Sequence, residues 1–117
     1  MNNFHRIRTV QEYQEAVDRS MLQPVILYKH SSLCELCILV HAELGTLNEE
    51  GDPPIYQVVV QEARPLSNSI EATLGIRHES PQVIILYDRM PVFHASHRAV
   101  TATAVRGAIE DLAASQT

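Results

Sequence analysis

Three short apolar runs constrain most strongly what this chain can fold into. They read VILY at 25–28, IYQVVV at 55–60 and QVIILY at 82–87. Runs of this length, rich in β-branched residues, fit strands that are buried on both faces of a sheet. Because segments with helical patterns separate the runs, we expect helix-linked strands that pair in parallel through right-handed crossovers. The sequence therefore predicts an α/β fold.

The segments between these runs complete the expected order of elements. VFHAS follows the turn DRMP closely enough to pair antiparallel with the third run, so the sheet is mixed, with four to five strands and helices on both faces. Thr9 and Glu12 match a capping box, and Thr101 can cap the last helix. A short edge strand is expected over 4–8. The expected helices cover 10–20, the cysteine segment up to about Leu47, 66–74 and 102–114.

Size and charge narrow the class of protein. The 117 residues, 45% hydrophobic and 20% charged, suit one domain over 1–117. A net charge of −5 with a single lysine gives no basic surface for nucleic acid. The opening MNNFHRIRTV lacks the apolar segment of a secretion signal, and no run approaches the length of a membrane span. We therefore expect a cytoplasmic monomer that contacts no membrane and needs no cofactor.

The two cysteines, Cys34 and Cys37, form a C-x-x-C motif just after the first apolar run. Ser32 and Glu35 match a capping box, which places both cysteines in the first turn of a helix. The free N–H groups there stabilise an anion and lower the pKa of a thiol. Cys34 is therefore predicted to be the attacking sulfur, and Cys37, one turn deeper, the sulfur that resolves a mixed disulfide.

The C-x-x-C spacing also permits two other roles for the cysteines. A structural disulfide across three residues closes a very small loop, and such a bridge stabilises little. A zinc or iron–sulfur site needs about four ligands, so Cys34 and Cys37 would need His30 and His41, or a second chain, to complete it. This metal-binding module stays open as the alternative function at this point.

The stretch GIRHESPQV holds a second candidate feature, the Ser80–Pro81 bond. A proline directly before a buried strand is permitted because its missing N–H can face the strand end. By spacing alone an ordinary trans bond is favoured, since few X-Pro bonds are cis. A cis bond would instead present the backbone of Ser80 as an edge for an extended substrate.

The segments PVILYKHSSLC, IRHESPQV and HASH resemble the bacillithiol-system bacilliredoxins, the YtxJ-like family of the thioredoxin-like superfamily. The similarity covers nearly the whole chain. It implies a thioredoxin-like fold, a cis-proline at Pro81 that faces a redox-active disulfide, and Cys34 as the residue that takes bacillithiol from a modified protein thiol.

This chain departs from the bacilliredoxin pattern at one place and from the thioredoxin pattern at another. The family carries Cys-Pro-Ile-Ser where this chain has Cys34-Glu35-Leu36-Cys37, so a dithiol cycle becomes possible. Tyr28 stands where thioredoxins keep a buried acid, and His30 or Lys29 could replace that acid.

Basic side chains are expected around the cysteines. With Lys29, His30 and His78 are predicted to bind an anionic thiol or to move a proton. Both histidines could equally be solvated loop residues.

Together these features predict a thiol–disulfide oxidoreductase that reduces protein or low-molecular-weight mixed disulfides. Cys34 and Cys37 are the predicted catalytic residues, and Ser80, Pro81, His30, His78 and Lys29 the predicted substrate-binding residues. The expected partners are protein disulfides or bacillithiolated proteins, with a low-molecular-weight thiol or a reductase as electron donor.

Overall fold

A computed structural model describes residues 4–116, and its elements follow the predicted order. The helix that carries the cysteines ends at Leu44 rather than near Leu47, because a tighter turn follows Gly45. Met90 and Pro91, predicted to lie in a turn, belong to the last strand. The elements are β1 (Phe4–Arg6), α1 (Val10–Arg19), β2 (Val25–His30), α2 (Glu35–Leu44), β3 (Ile55–Val59), α3 (Arg64–Leu74), β4 (Gln82–Tyr87), β5 (Met90–Ser96), a short 3₁₀ turn (His97–Ala99) and α4 (Ala102–Ser115).

The five strands form one mixed sheet in the order β1-β3-β2-β4-β5. β3 pairs in parallel with β1 and with β2, whereas β4 pairs antiparallel with β2 and β5. The expectation that all helix-linked strands pair in parallel was therefore wrong for β3 and β4. The loop 75–81 returns the chain from the end of α3 to the edge at which β3 finished, so β4 starts there and runs in the opposite direction.

Two hydrophobic clusters flank the sheet, because successive side chains of a strand point to opposite faces. Val25 and Leu27 of β2 pack with Tyr13 of α1 and Ile70 of α3. Ile26 and Tyr28 of the same strand belong to the other cluster, which α2 and α4 cover through Val40, Leu44 and Val105. Each face of the sheet is thus covered by two helices.

The register of β2 and β4 brings two loops to the same edge of the sheet. Lys29 lies opposite Gln82, so β2 ends where β4 begins. The cysteine loop leaves the sheet at this edge and the Ser80–Pro81 segment enters it there. The Ser80–Pro81 peptide bond is cis in the structure.

Candidate active site

Cys34 itself caps the helix that carries the two cysteines. α2 begins at Glu35, and the Cys34 Sγ accepts a hydrogen bond from the backbone N–H of Cys37 at 3.3 Å. The predicted capping box of Ser32 and Glu35 was wrong. Ser32 lies in the preceding loop, where its own N–H donates to the Gln61 Oε1 at 3.2 Å.

Gln61 holds the cysteine loop from the neighbouring strand connection. Its amide Nε2 donates to the Ser31 Oγ at 2.7 Å, while its Oε1 accepts from Ser32. The parallel register of β2 and β3 explains this contact. His30 pairs with Val59, so the segments that follow the two strands lie side by side. The anchored loop delivers Cys34 to the start of α2.

The electrostatics of this helix start favour the thiolate of Cys34. Hydrogen bonds from the Cys37 side chain, the Cys37 backbone N–H and then the Leu36 N–H lower the pKa of the Cys34 thiol. Burial and the carboxylate of Glu35 oppose this shift without reversing it. Because Cys34 is also half-exposed, its sulfur combines a lowered pKa with access to solvent.

Cys37 has the opposite properties. Its side chain is 0% exposed, and neither cysteine forms a disulfide in the structure. Burial, together with the nearby Cys34, raises the pKa of the Cys37 thiol to about 11. Two sulfurs within one helical turn therefore differ both in access to solvent and in the direction of their pKa shifts, with Cys34 accessible and Cys37 enclosed.

A cluster of rings lies beneath α2, next to Cys37. The Tyr28 hydroxyl is hydrogen-bonded to the His30 Nδ1 at 2.7 Å. The His41 ring from α2 stacks on Phe4 of β1 with centroids 4.4 Å apart, and it lies 5.3 Å from the His30 ring. Burial is the main cause that lowers the pKa of both histidines, so both are neutral at pH 7. The phenol of Tyr28 has a raised pKa, from burial and from the charges of the cysteines.

Lys29 points to the other side of the sheet. Its side chain is 1% exposed, and its Nζ donates to the Ser67 carbonyl at 3.2 Å and lies 3.1 Å from the His78 Nδ1. The backbone N–H of His78 in turn donates to Glu71. Burial lowers the pKa of both Lys29 and His78. Lys29 thus reaches the loop that carries Ser80 and Pro81 through His78.

The predicted substrate-binding residues fall into two groups. His30 lies with Tyr28 and His41 on the α2 face, whereas Lys29 and His78 lie with Ser67 on the α3 face. Ser80 is half-buried and Pro81 is buried, at the edge of the sheet that the cysteine loop shares. Exposed apolar side chains of Leu33, Ile38 and Leu39 surround the start of α2.

Among the residues that the structure describes, the side chains show no cluster that would hold a metal. Within residues 4–116, no group of three or more His, Cys, Asp or Glu side chains is arranged to bind an ion. His30 and His41, the partners considered for Cys34 and Cys37, are engaged with the rings of Tyr28 and Phe4. In that same part of the chain no helix is long and apolar enough to cross a membrane.

Three residues of the site were not found from the sequence: Gln61, Ser67 and Glu71. Gln61 contacts Ser31 from thirty residues away in the chain, whereas Ser67 and Glu71 contact His78 from α3. Gln61 follows directly from the pairing of β2 with β3, so the strand register was the signal that could have revealed it. The contacts of Ser67 and Glu71 depend on how α3 packs against the sheet, for which the sequence carries no comparable signal.

Comparisons with known proteins extend these observations. The family model described as monothiol bacilliredoxin BrxC matches residues 5–105. Among similar solved structures, a protein described as having a thioredoxin fold shares 21% identity, with a TM-score of 0.82, over 90% of this chain and 92% of its own. A mutant thioredoxin from Halobacterium salinarum shares 16% identity (TM-score 0.72), over 92% of this chain and 88% of its own. Oxidised mitochondrial thioredoxin 3 from Saccharomyces cerevisiae shares 14% (TM-score 0.73), over 92% and 94%. These likenesses confirm the predicted thioredoxin-like fold.

Proposed function

Because the chain belongs to the monothiol bacilliredoxin family, we propose that it is a thiol–disulfide oxidoreductase that reduces mixed disulfides through Cys34 and Cys37. The family membership supports redox chemistry at a thiol. The finer assignment, to a dithiol cycle and to YtxJ-like bacilliredoxins, is the proposal.

The asymmetry of the two cysteines carries this proposal. The pKa of the half-exposed Cys34 is lowered, whereas the pKa of the enclosed Cys37 is raised to about 11. A thiolate is the nucleophile in thiol–disulfide exchange, and a substrate disulfide can reach only an accessible sulfur. Cys34 is therefore the attacking sulfur, and Cys37 acts only after Cys34 has become bonded to substrate.

The cycle has two exchange steps. The Cys34 thiolate attacks the substrate disulfide and forms a mixed disulfide, while the first substrate sulfur leaves as a thiolate. Cys37 then loses its proton and attacks the Cys34 Sγ, so that the Cys34–Cys37 disulfide forms and the second substrate sulfur leaves. A low-molecular-weight thiol or a reductase supplies two electrons to restore the dithiol.

The family name points to one thiol, whereas this chain carries two. A monothiol protein needs an external thiol to clear its mixed disulfide. The buried position of Cys37, one turn behind Cys34, supports clearance within the chain, since the second sulfur is already held beside the first.

We assign bacillithiolated proteins as the substrate class, in line with the family. In this proposal the loop at Ser80 and Pro81 offers an edge for the backbone of the modified protein, with His30 on the α2 face of the sheet and His78 and Lys29 on the α3 face. A dithiol that works as a reductant needs a reducing compartment, so we place the protein in the cytoplasm.

Trapping variants test the role of each cysteine. With a bacillithiolated peptide as substrate, Cys37→Ser is expected to release the peptide once and to retain bacillithiol on Cys34 as a stable adduct. Cys34→Ser is expected to be inert, and thiol release measured over several turnovers reports both. Full activity of Cys34→Ser would show that the roles are assigned wrongly, and retention of a metal by the purified protein, lost on mutation of either cysteine, would favour the metal-binding module instead.

A further inference from the structure

Cys37 faces a chemical problem that the proposed cycle leaves open. Its thiol is fully enclosed, and its pKa of about 11 leaves almost none of it ionised near pH 7. To attack Cys34, the Cys37 thiol must first lose its proton. Because the thiol is enclosed, water cannot accept this proton directly. A base near Cys37, with its own path to solvent, would solve this problem.

The structure offers one such path on the α2 face of the sheet. Tyr28 is 0% exposed, and its hydroxyl is hydrogen-bonded at 2.7 Å to the His30 Nδ1, while His30 itself is half-exposed. The thiol and the phenol are thus both fully buried, and only the imidazole reaches solvent. Lys29 provides no such path, because its Nζ points to Ser67 and His78 on the opposite face.

Cys37 lies on the same side of α2 as His41, whose ring contacts this pair. Cys37 and His41 lie one turn apart on the buried face of α2, and the His41 ring contacts both Tyr28 and His30, at 5.9 and 5.3 Å. Cys37 lies one turn closer than His41 to the carboxyl end of β2, where His30 is located. The phenol of Tyr28 also senses the charge of both cysteine sulfurs.

The groups around His30 keep it ready to accept a proton. Burial chiefly, and then His41 from α2 and Arg6 from β1, disfavour a positive charge on His30. Tyr28, on the same strand as His30, is its hydrogen-bond partner. Arg6 is itself engaged with Glu62 at 3.3 Å. His30 is therefore neutral near pH 7, and a base must be neutral before it can take up a proton.

We propose that the Tyr28–His30 pair receives the proton that Cys37 loses when it resolves the mixed disulfide. This inference rests on the proposed dithiol cycle. The Cys37 proton passes through the Tyr28 hydroxyl to the His30 Nδ1, and the freed electron pair forms the bond from the Cys37 Sγ to the Cys34 Sγ. The bond from Cys34 to the substrate breaks, and the substrate sulfur leaves with its electron pair as a thiolate. His30 then returns its proton to solvent.

A chromogenic disulfide separates the two exchange steps. Dithiobis(nitrobenzoate) releases one coloured thiolate when Cys34 attacks and a second when Cys37 resolves the adduct, and stopped-flow absorbance resolves both rates. In Tyr28→Phe and in His30→Asn we expect the second release to slow about a hundredfold relative to the first. Asparagine keeps a hydrogen-bond acceptor near the Nδ1 position but cannot be protonated. If His30 only positioned Tyr28, the second release would therefore keep its wild-type rate in His30→Asn.

The pH profile of the second release provides an independent readout. In the wild type its rate should be constant between the pKa of His30 and that of Cys37, because neutral His30 removes the proton throughout this range. In His30→Asn the rate should instead fall about tenfold for each pH unit below the pKa of Cys37, since only the rare thiolate then reacts.

Tyr13→Phe is the matched control. Tyr13 is also buried, and its hydroxyl is hydrogen-bonded at 2.7 Å to the Thr73 Oγ1, but it lies in the cluster on the other face of the sheet. Both releases should be unchanged in this variant. Wild-type second-release rates and pH profile in Tyr28→Phe and His30→Asn would overturn the proposal, and so would equal slowing of both releases. If the wild type released only one thiolate, the proposed dithiol cycle itself would be contradicted.

Discussion

At the scale of single residues, two sulfurs of the same chemical type have opposite environments. Cys34 lies at the start of α2 and accepts hydrogen bonds, which stabilises its anion. Cys37 lies against the sheet, where burial penalises charge. Cys34 therefore has the environment of a nucleophile, and Cys37, one helical turn later, has that of a resolving thiol.

Neighbours of Cys34 should move its pKa in opposite directions. Glu35→Gln should lower the pKa of the Cys34 thiol, because it removes the carboxylate that disfavours the thiolate. Cys37→Ala should raise it, because the hydrogen bond from the Cys37 side chain is the largest stabilising contribution. The rate of alkylation by iodoacetamide against pH measures both shifts.

Cys37→Ser is the control for this series, since its hydroxyl still donates to Cys34 and the shift should be smaller than in Cys37→Ala. If the pKa of Cys34 responded to neither Glu35 nor Cys37, the hydrogen bonds at the helix start would not be what stabilises its thiolate.

At the scale of elements, the capping residues of the helices determine where each helix begins. A sulfur caps α2, whereas hydroxyl groups cap α1 and α4 in the usual way. α4 matters for the site because its buried residues, Ala102 and Val105, pack in the same cluster as Tyr28. Its N–H at Ala102 also donates to Glu43 of α2 at 3.0 Å, so the two helices on this face support each other.

The contribution of the α4 cap to the stability of the fold can be tested directly. Thr101 Oγ1 accepts from the N–H of Ala104 at 3.0 Å. Thr101→Ala should lower the free energy of unfolding by about 1 kcal/mol, because this N–H loses its partner. Thr103→Ala, at an exposed position of the same helix, is the matched control and should change stability by less than about 0.5 kcal/mol.

Urea denaturation followed by circular dichroism measures both variants. Equal stability of Thr101→Ala and Thr103→Ala would mean that the cap contributes nothing to the fold.

At the scale of the whole molecule, burial of histidines links stability to pH. Burial lowers the pKa of His30, His41 and His78 in the folded chain. Between these lowered values and about 6.5, the ordinary pKa of histidine, the unfolded chain therefore binds more protons than the folded chain. Stability is then present above about pH 6.5 and is lost as the pH falls through this window.

We accordingly expect the urea midpoint to fall between pH 7 and pH 5. His41→Gln should weaken this dependence, because it removes one of the three half-buried imidazoles. A variant in which the exposed His5, His94 and His97 are replaced by Gln is the control and should keep the wild-type slope. A midpoint that stayed constant or rose as the pH fell to 5 would contradict the linkage.

Much of this architecture followed from local patterns. The three apolar runs predicted the central strands, and the capping box of Thr9 and Glu12 marked the start of α1. The start of α2 was misplaced because the sequence cannot show that Gln61, from another loop, holds Ser32 outside the helix. The direction of β4 was missed because it depends on the path of the loop 75–81.

The site could be predicted only in part, for a similar reason. Lys29 shares a strand face with Leu27, two residues earlier, and this period of two already placed it on the side away from the cysteines. Tyr28 and His30 are also two residues apart, so they share the opposite face of the strand, where they are hydrogen-bonded to each other. The catalytic and substrate-binding roles themselves stay predictions.

The most direct measurement is intact-protein mass spectrometry of the reduced wild type after exposure to bacillithiol disulfide. We expect a transient adduct of one bacillithiol on Cys34, followed by a species lighter than the reduced protein by two hydrogen atoms, which is the Cys34–Cys37 disulfide. A bacillithiol adduct found on Cys37, or an adduct on Cys34 that persists with Cys37 intact, would contradict the account.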